Sequence, residues 1–260
     1  MDLDLADHVA LVTGSATGLG HACAEAFARQ GARVALASPN LGDLAYASDR
    51  LHAIGSGDVL GLEVDVRDPD QVTAFVQETV DQYGGIDHLV TGPRPLEPAA
   101  LLDVPDEDWF RAFDRLFMSV VWTVRAAHPW LEASDHGTVV AVTNPVLAAL
   151  AGAFPVAAAF GRGVEGLVET QARAVAPAVR VNAVRPGPHD TEDLERFLAA
   201  LVDRGEYPDL EAARMAILAA GPADALGDPL DLGHVVAFLS SDRARYVNGV
   251  TVPVDGGAAR

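Results

Sequence analysis

Short apolar runs alternate with longer stretches of helical periodicity along the whole chain. Seven runs have the length and β-branched content of buried strands, and helix-length intervals separate nearly all of them. Strands spaced in this way need crossover helices, which build a parallel sheet covered on both faces. The pattern therefore predicts an α/β fold, a doubly wound parallel sheet of about seven strands with helices on both faces. The predicted strands are residues 8–12, 33–37, 59–64, 88–90, 138–142, 180–184 and 250–254.

Two of the intervals, 106–132 and 156–175, predict long helices with small and apolar residues on more than one face. A helix that is apolar all round must be covered twice, so these helices are the expected subunit interface of a homo-oligomer, either a dimer or a tetramer. No linker rich in Pro, Gly or Ser divides the 260 residues, which predicts a single domain over residues 1–260.

The composition is strongly acidic. The formal net charge is −19, from 37 carboxylates and 18 basic residues, and every basic residue is an Arg. An Arg-biased genome and adaptation to a cytoplasm of high salt would each give this composition, and we favour the second, halophilic interpretation. A surface this negative repels nucleic acid and anionic lipid, so neither is an expected partner.

The sequence also predicts a cytoplasmic protein. Cys23 is the single cysteine and lies in a helical pattern, which indicates a reducing compartment and a packed thiol. The acidic amino terminus does not resemble a signal peptide. Residues 138–161 form an uncharged run long enough to span a bilayer, but Pro145, Gly152 and Pro155 interrupt it, so it predicts a buried strand, a loop and a helix start. No metal site is expected.

The first predicted strand runs into a glycine-rich turn, after which the pattern becomes helical. Glycines here allow a tight turn and let a diphosphate approach backbone N–H groups at the positive end of the helix. Taken alone, such a turn is also compatible with an ordinary strand-to-helix connection. Its sequence is Thr13-Gly14-Ser15-Ala16-Thr17-Gly18-Leu19-Gly20.

Four motifs in order along the whole chain resemble the short-chain dehydrogenase/reductase family. The glycine spacing is that family's, and Val64-Asp65-Val66 falls where the family places an Asp that contacts adenine. Residues 181–187 look like its sixth strand and Pro-Gly turn, and residues 246–257 are similar to its carboxy-terminal signature. The resemblance implies a Rossmann-type fold with NAD or NADP as cofactor, and Thr191 matches a threonine that meets the nicotinamide carboxamide. The residues it places around the cofactor are Gly14, Ser15, Thr17, Gly18, Leu19, Ser38, Asp65, Val66, Thr91, Gly92, Pro186, Gly187 and Thr191.

The positions that distinguish the two dinucleotides carry no charge. The family places an acidic residue for the ribose, or an Arg for the extra phosphate, directly after the second strand. This chain has Ser38 and Pro39 there, and Thr17 replaces the basic residue that phosphate-binding members often carry in the turn. The loss of both basic groups favours the unphosphorylated cofactor, NAD.

The resemblance also locates the positions of the family's catalytic residues. In the family a Tyr is the general acid or base, a Lys four residues later lowers its pKa, a Ser polarises the carbonyl and an Asn anchors a water relay. By register Ala157 stands at the Tyr position, Gly161 at the Lys, Asn144 at the Ser and Leu116 at the Asn. A positioned acid or base contributes roughly 10²- to 10⁴-fold in rate, and neither Ala157 nor Gly161 can supply one. The resemblance therefore predicts a pseudoenzyme that keeps the scaffold and has lost the standard chemistry.

A few other residues near these positions could replace the missing functional groups. Arg94, after the fourth strand, is an anion contact, an obstruction to the cofactor, or a solvated loop residue. His189, on the loop beyond the Pro-Gly turn, and Asn144 are weak catalytic candidates, although we favour the interpretation of His189 as a surface histidine without a role. An apolar wall suits an apolar ligand or a filled cleft. Its predicted members are Val146, Leu147, Leu150, Phe154, Val156, Ala157 and Phe160.

Three functions stay open at this point. The leading hypothesis is a homo-oligomeric binding, sensing or partner protein without the standard mechanism. The second is a working oxidoreductase on a small alcohol, a ketone or a 3-oxoacyl substrate, using His189 or a water held by Asn144. The third is a purely structural partner of an active relative. Fold alone does not choose among them.

Overall fold

The computed structural model describes residues 2–54, 57–92, 99–143, 155–219 and 221–258. The strands are β1 (Val9–Thr13), β2 (Arg33–Ser38), β3 (Val59–Glu63), β4 (His88–Thr91), β5 (Thr138–Val142), β6 (Arg180–Pro186) and β7 (Thr251–Val254). The helices are α1 (Gly18–Ala28), α2 (Leu41–Ala53), α3 (Pro69–Tyr83), α4 (Asp106–Ala112), α5 (Ser119–Ala133), α6 (Pro155–Val175), α7 (Glu192–Asp203), α8 (Leu210–Ala219) and α9 (Pro229–Ser240).

The strands form one sheet in the order β3-β2-β1-β4-β5-β6-β7, and every neighbouring pair is parallel. The predicted doubly wound sheet is confirmed, and each predicted strand lies within a residue or two of its observed bounds. The chain reverses its direction of winding between β1 and β4. The carboxyl ends of these two strands therefore border the crevice in which such sheets bind ligands.

Two apolar layers cover the sheet. On one face α1, α2 and α9 bury side chains such as Phe27, Leu51 and Val236. On the other face α3, α5 and α6 bury Phe75, Leu131 and others. Strands covered on both faces must be apolar throughout, which is why they appear in the sequence as continuous hydrophobic runs.

The long helix predicted over 106–132 is present but not uniform. Residues Phe113–Met118 form a π-helical segment that joins α4 to α5. A π segment widens the helix by one residue per turn and often accompanies functional sites. Here it carries Leu116, one of the positions that the family resemblance singled out.

The thiol of Cys23 is fully buried on α1, as predicted, and burial raises its pKa to about 12. Within the residues that the structure describes, no helix has both the length and the apolar character needed to cross a membrane.

Candidate functional site

The glycine turn between β1 and α1 has the close backbone approach that its glycines predicted. Gly14 has a φ of 61°, and a methyl group there would lie 1.8 Å from the carbonyl oxygen of Gly92. A methyl group on Gly20 would lie 2.1 Å from the carbonyl oxygen of Gly14. Any side chain at these two positions would therefore displace the backbone of the turn.

Polar groups of the strands fix the turn to its neighbours. The Ser15 hydroxyl accepts a hydrogen bond from Ala37 N at 3.0 Å, and Ser15 N donates to Ala37 O at 3.2 Å. Gly92 N donates to Thr13 Oγ1 at 3.2 Å. The hydroxyl of Ser15, a predicted cofactor residue, is thus used to hold the turn against β2.

A cavity beside the turn, which we call the β2–β3 cavity, brings together five of the predicted cofactor residues. They are Gly14, Thr17, Ser38, Asp65 and Val66, and the other lining residues are Ala16, Ala37, Pro39, Val64, Arg67 and Arg115. Sequence reasoning missed the two arginines. The signal was available, because Arg67 follows Asp65 by two residues and Arg115 precedes Leu116.

Asp65 has a partner within the chain. Its carboxylate accepts hydrogen bonds from Arg67 Nε at 2.9 Å and from Arg67 Nη2 at 2.5 Å, and these bonds hold the pKa of Asp65 below its usual range. The charge of Arg67 is therefore largely compensated where it borders the cavity. Ser38, the residue at the family's acidic position, is buried and accepts a hydrogen bond from Asn40 N at 3.2 Å.

The other predicted cofactor residues frame the crevice from β4, β6 and α7. Thr91 is buried at the end of β4, and its hydroxyl has no partner among the described residues. Gly187 packs so tightly that a methyl group there would lie 2.5 Å from Asp255 Cα. Thr191 caps α7 by accepting a hydrogen bond from Leu194 N at 3.2 Å. A second cavity shares the lining residues Ala16 and Thr17 with the β2–β3 cavity. Residues of α1, α2, α7 and α9 line it, and they include the predicted cofactor residues Thr17, Gly18 and Thr191.

Two of the four predicted catalytic positions meet in one apolar cluster. Leu116 and Ala157 are 1% and 4% exposed, and they pack together with Ala112 and Val156. Val104, Trp109 and Phe160 close the cluster from outside. All seven of these described side chains are apolar, and we refer to them below as the apolar cluster.

The α6 face that carries Ala157 continues through Gly161, which is buried, to Glu165. The carboxylate of Glu165 pairs with Arg162 at 2.8 Å and with Arg185 at 3.3 Å. Arg162, one residue after Gly161, is exposed on a different face of the helix. Glu165, Arg162 and Arg185, the charged residues described near Gly161, are therefore paired with one another.

The interpretation of His189 as a surface histidine is wrong. Its ring is 4% exposed, its Nδ1 lies 3.0 Å from Gly187 O, and a methyl group on Gly227 would lie 2.7 Å from its Cδ2. It borders a cavity formed by the Pro-Gly turn, α8 and the carboxy-terminal tail. Sequence reasoning missed this environment because the loop around Gly227 is distant along the chain. The ring connects two loops and has no described contact with the apolar cluster.

Several predicted residues lie outside the described ranges. These are Asn144, Arg94 and four members of the predicted apolar wall, Val146, Leu147, Leu150 and Phe154. The other three wall residues, Val156, Ala157 and Phe160, belong to the apolar cluster.

Three histidines meet at the opposite edge of the sheet, where the strands begin, and one of them, His88, is fully buried. His8 Nδ1 and His88 Nε2 are 3.0 Å apart, and His88 Nδ1 lies 2.8 Å from Thr138 Oγ1. The His8 ring stacks on that of His136 with centroids 4.3 Å apart. Burial lowers the pKa of His88 to about 3 and also lowers the pKa of His8.

Comparison with known proteins identifies the class to which this fold and crevice belong. A family model described as enoyl-(acyl carrier protein) reductase matches residues 14–259. The 3-oxoacyl-[acyl-carrier-protein] reductase FabG of Vibrio cholerae is 32% identical over 257 residues, which cover 98% of each chain. The 2,5-dichloro-2,5-cyclohexadiene-1,4-diol dehydrogenase LinX of Sphingobium indicum is 29% identical over 97% of this chain and 96% of its own. The chain belongs to the short-chain dehydrogenase/reductase family.

Solved structures extend the comparison to the fold. L-Sorbose reductase from Gluconobacter frateurii, complexed with NADPH and L-sorbose, matches with a TM-score of 0.92 at 28% identity and covers 100% of this chain and 99% of its own. Aldohexose dehydrogenase of Thermoplasma acidophilum in ligand-free form has a TM-score of 0.86 at 27% identity, over 100% of this chain and 96% of its own. The Rossmann-type fold predicted by the resemblance is confirmed.

The residues around the glycine turn fit a dinucleotide. Gly14 and Gly20 leave backbone where side chains would stand, and Thr17 at the amino end of α1 makes no side-chain cap, so N–H groups there stay available to an anion. The β2–β3 cavity has small apolar walls at Ala16 and Ala37, suited to a planar base.

Proposed function

We propose that this protein binds NAD or NADP at the crevice and does not carry out the proton-coupled hydride transfer typical of its family. The observation that carries the proposal is the apolar cluster, which contains Leu116 and Ala157, the residues that the family resemblance assigns to the positions of the catalytic Asn and Tyr. The open backbone of the glycine turn supports dinucleotide binding, and the apolar cluster argues against catalysis. The protein then serves as a binding, sensing or partner subunit.

The chain's own residues account for binding. The backbone of the glycine turn and the amino end of α1 would hold the diphosphate, and the β2–β3 cavity would take the adenosine. Thr191 and the Pro186-Gly187 turn would border the nicotinamide, which supplies the hydride chemistry in active relatives.

Reduction of a carbonyl leaves an alkoxide that needs a proton donor within hydrogen-bond reach. Leu116 and Ala157 are almost fully buried, and neither side chain carries a proton that it could donate. Without a positioned acid the rate falls by roughly 10²- to 10⁴-fold, before any loss of electrostatic stabilisation.

We propose NAD as the preferred dinucleotide. Ser38 and Pro39 offer no positive charge to a 2′-phosphate, and Arg67 in the same cavity is already paired with Asp65. Competition between 5′-AMP and 2′,5′-ADP for the site tests this choice. Stronger displacement by 2′,5′-ADP would reverse it.

We further propose that α4–α5 and α6 form a homo-oligomer interface. Phe110 is 69% exposed and Leu102 is 94% exposed beside α4, an apolar surface that a second copy would cover. Light scattering of the purified protein should give the mass of a dimer or a tetramer. A monomer at micromolar concentration would contradict this interface.

The test of the proposed function is a pair of measurements on one preparation. Titration calorimetry with NADH and NADPH should show saturable binding. Turnover with L-sorbose, aldohexoses and 3-oxoacyl thioesters should stay at the level of the protein-free control. Turnover at the rates of ordinary oxidoreductases, roughly 1–10³ s⁻¹, would overturn the proposal in favour of a working enzyme.

A further inference from the structure

The amino end of α1 meets a carboxylate from another helix. Thr17 provides no side-chain cap, and the first turn of α1 contains no acidic residue. The free N–H groups and the positive end of the helix dipole therefore have no anionic partner within α1. A methyl group built on Gly18 would lie 3.3 Å from Oδ2 of Asp193, so this carboxylate stands against the open side of the glycine.

The first turn of α7 holds Asp193 in this position. Thr191 caps the helix, and its Cβ lies 4.0 Å from the position that a methyl group on Gly18 would occupy. Asp193 is only 26% exposed at its side chain and pairs with Arg196, one turn further along α7. The carboxylate is therefore fixed at the glycine turn by a capped helix.

We infer that Asp193 is an electrostatic gate on the dinucleotide site, which lowers affinity for the diphosphate and makes that affinity depend on salt. The open side of the second glycine in such turns is where the diphosphate approaches the backbone. Two anions directed at the same helix end repel each other, and the carboxylate must be screened or displaced before the diphosphate binds. This inference rests on the proposed dinucleotide binding and adds a residue that regulates it.

Asp193 lies among other charged side chains, some of which arginines compensate. Glu192 and Glu195 share the first turn of α7, while Arg214 pairs with Glu195 and lies 3.6 Å from Asp190. Arg196 partly compensates Asp193 itself. Because these groups are partly exposed, salt screens their repulsion of a diphosphate, and dinucleotide affinity should rise with ionic strength.

The experiment compares dinucleotide affinity of the full chain and its variants by titration calorimetry at about 0.05 M and about 1 M KCl. At low salt Asp193→Asn should bind NADH about tenfold more tightly, a change of about 1.4 kcal/mol. Arg196→Gln removes the cationic partner of the Asp193 carboxylate and should bind NADH several-fold more weakly. Asp203→Asn removes the same charge at the far, exposed end of α7 and should bind as the unmodified protein does.

The comparison of the two salt concentrations distinguishes electrostatic repulsion by Asp193 from a change in the shape of the binding site. The unmodified protein should gain affinity between the two salt concentrations, and Asp193→Asn should lose most of that gain. Melting curves without ligand confirm that each variant is folded.

Equal affinities of Asp193→Asn and the unmodified protein at low salt would overturn the gate and leave the proposed dinucleotide binding intact. An equal gain in Asp203→Asn would also overturn it, since net charge rather than position would then be responsible. Absence of NADH and NADPH binding in every variant at both salt concentrations would overturn the proposed function and the gate together.

Discussion

The two sides of the crevice differ in what they present to a ligand. Around β1, β2 and β3 the chain offers exposed backbone, uncapped N–H groups and a cavity with polar and apolar walls. Around α4 and α6 it offers the closed apolar cluster. The binding side of a dinucleotide enzyme depends on backbone geometry, whereas the catalytic side depends on a few side chains. The first can therefore persist while the second is replaced, without loss of the fold.

The largest expected effect comes from adding one methyl group to the binding side. Gly14→Ala places a Cβ 1.8 Å from Gly92 O at a φ of 61°, and should destabilise folding by at least about 3 kcal/mol and abolish NADH binding. The control is Gly84→Ala, where φ is 88° but nothing lies within 4 Å, so only about 1–2 kcal/mol should be lost. Urea unfolding measures both. Equal losses would show that the close approach to Gly92 does not matter.

The next effect tests whether the apolar cluster is packed as a core. Leu116→Ala should cost about 2–5 kcal/mol in the free energy of unfolding, because the side chain is 1% exposed. Leu41→Ala, at an exposed position of α2 outside the proposed interface, should change it by less than about 0.5 kcal/mol. A small loss at Leu116 would mean that this region is an open pocket.

A third variant puts a phenol back into the apolar cluster. Ala157→Tyr should destabilise the protein by about 1–3 kcal/mol through overpacking and should not restore turnover, since Gly161 supplies no ammonium. Ala45→Tyr on the exposed face of α2, outside the proposed interface, should be nearly neutral. Turnover in Ala157→Tyr alone would show that the catalytic side had lost only one group.

The smallest effect concerns pH. Among the described histidines, His88 has a strongly lowered pKa, and burial is the main cause. The folded-state pKa of His88 is about 3 and its unperturbed value is 6.5, so between these values the unfolded chain binds a proton that the folded chain does not. The contribution of His88 to the free energy of unfolding is fully present above pH 6.5. It is lost by about 1.4 kcal/mol per pH unit as the pH falls below that value.

Urea unfolding at about pH 7 and about pH 5 measures this loss. His88→Asn should reduce it, and His52→Asn at an exposed position should not. The groups facing His88 shape the result through their charges, and are His8, His136, Asp87 and Arg180. An unchanged pH dependence in His88→Asn would assign the loss to other groups.

Much of the binding side followed from the sequence because its signals are local. The glycine turn and the end of β3 each lie in one short segment, and the structure brings them together around the β2–β3 cavity. Leu116 and Ala157 were assigned to their family positions by register alone, and the structure shows that both belong to the apolar cluster.

What the sequence missed depends on contacts between distant segments. His189 is buried because Gly227 packs against its ring, and nothing near His189 in the sequence indicates this. Asp193 reaches Gly18 across 175 positions of the chain (193 − 18), and only the placement of α7 brings it there. Side chains whose environment is set by tertiary packing are the ones that local patterns cannot locate.

The most direct test of the central claim follows a single hydride. The protein is saturated with NADH or NADPH that carries deuterium at its transferable position and is incubated with L-sorbose or a 3-oxoacyl thioester. The account predicts saturable binding of the dinucleotide and no deuterium in the recovered alcohol by mass spectrometry. Deuterium transfer in step with oxidation of the dinucleotide would contradict it.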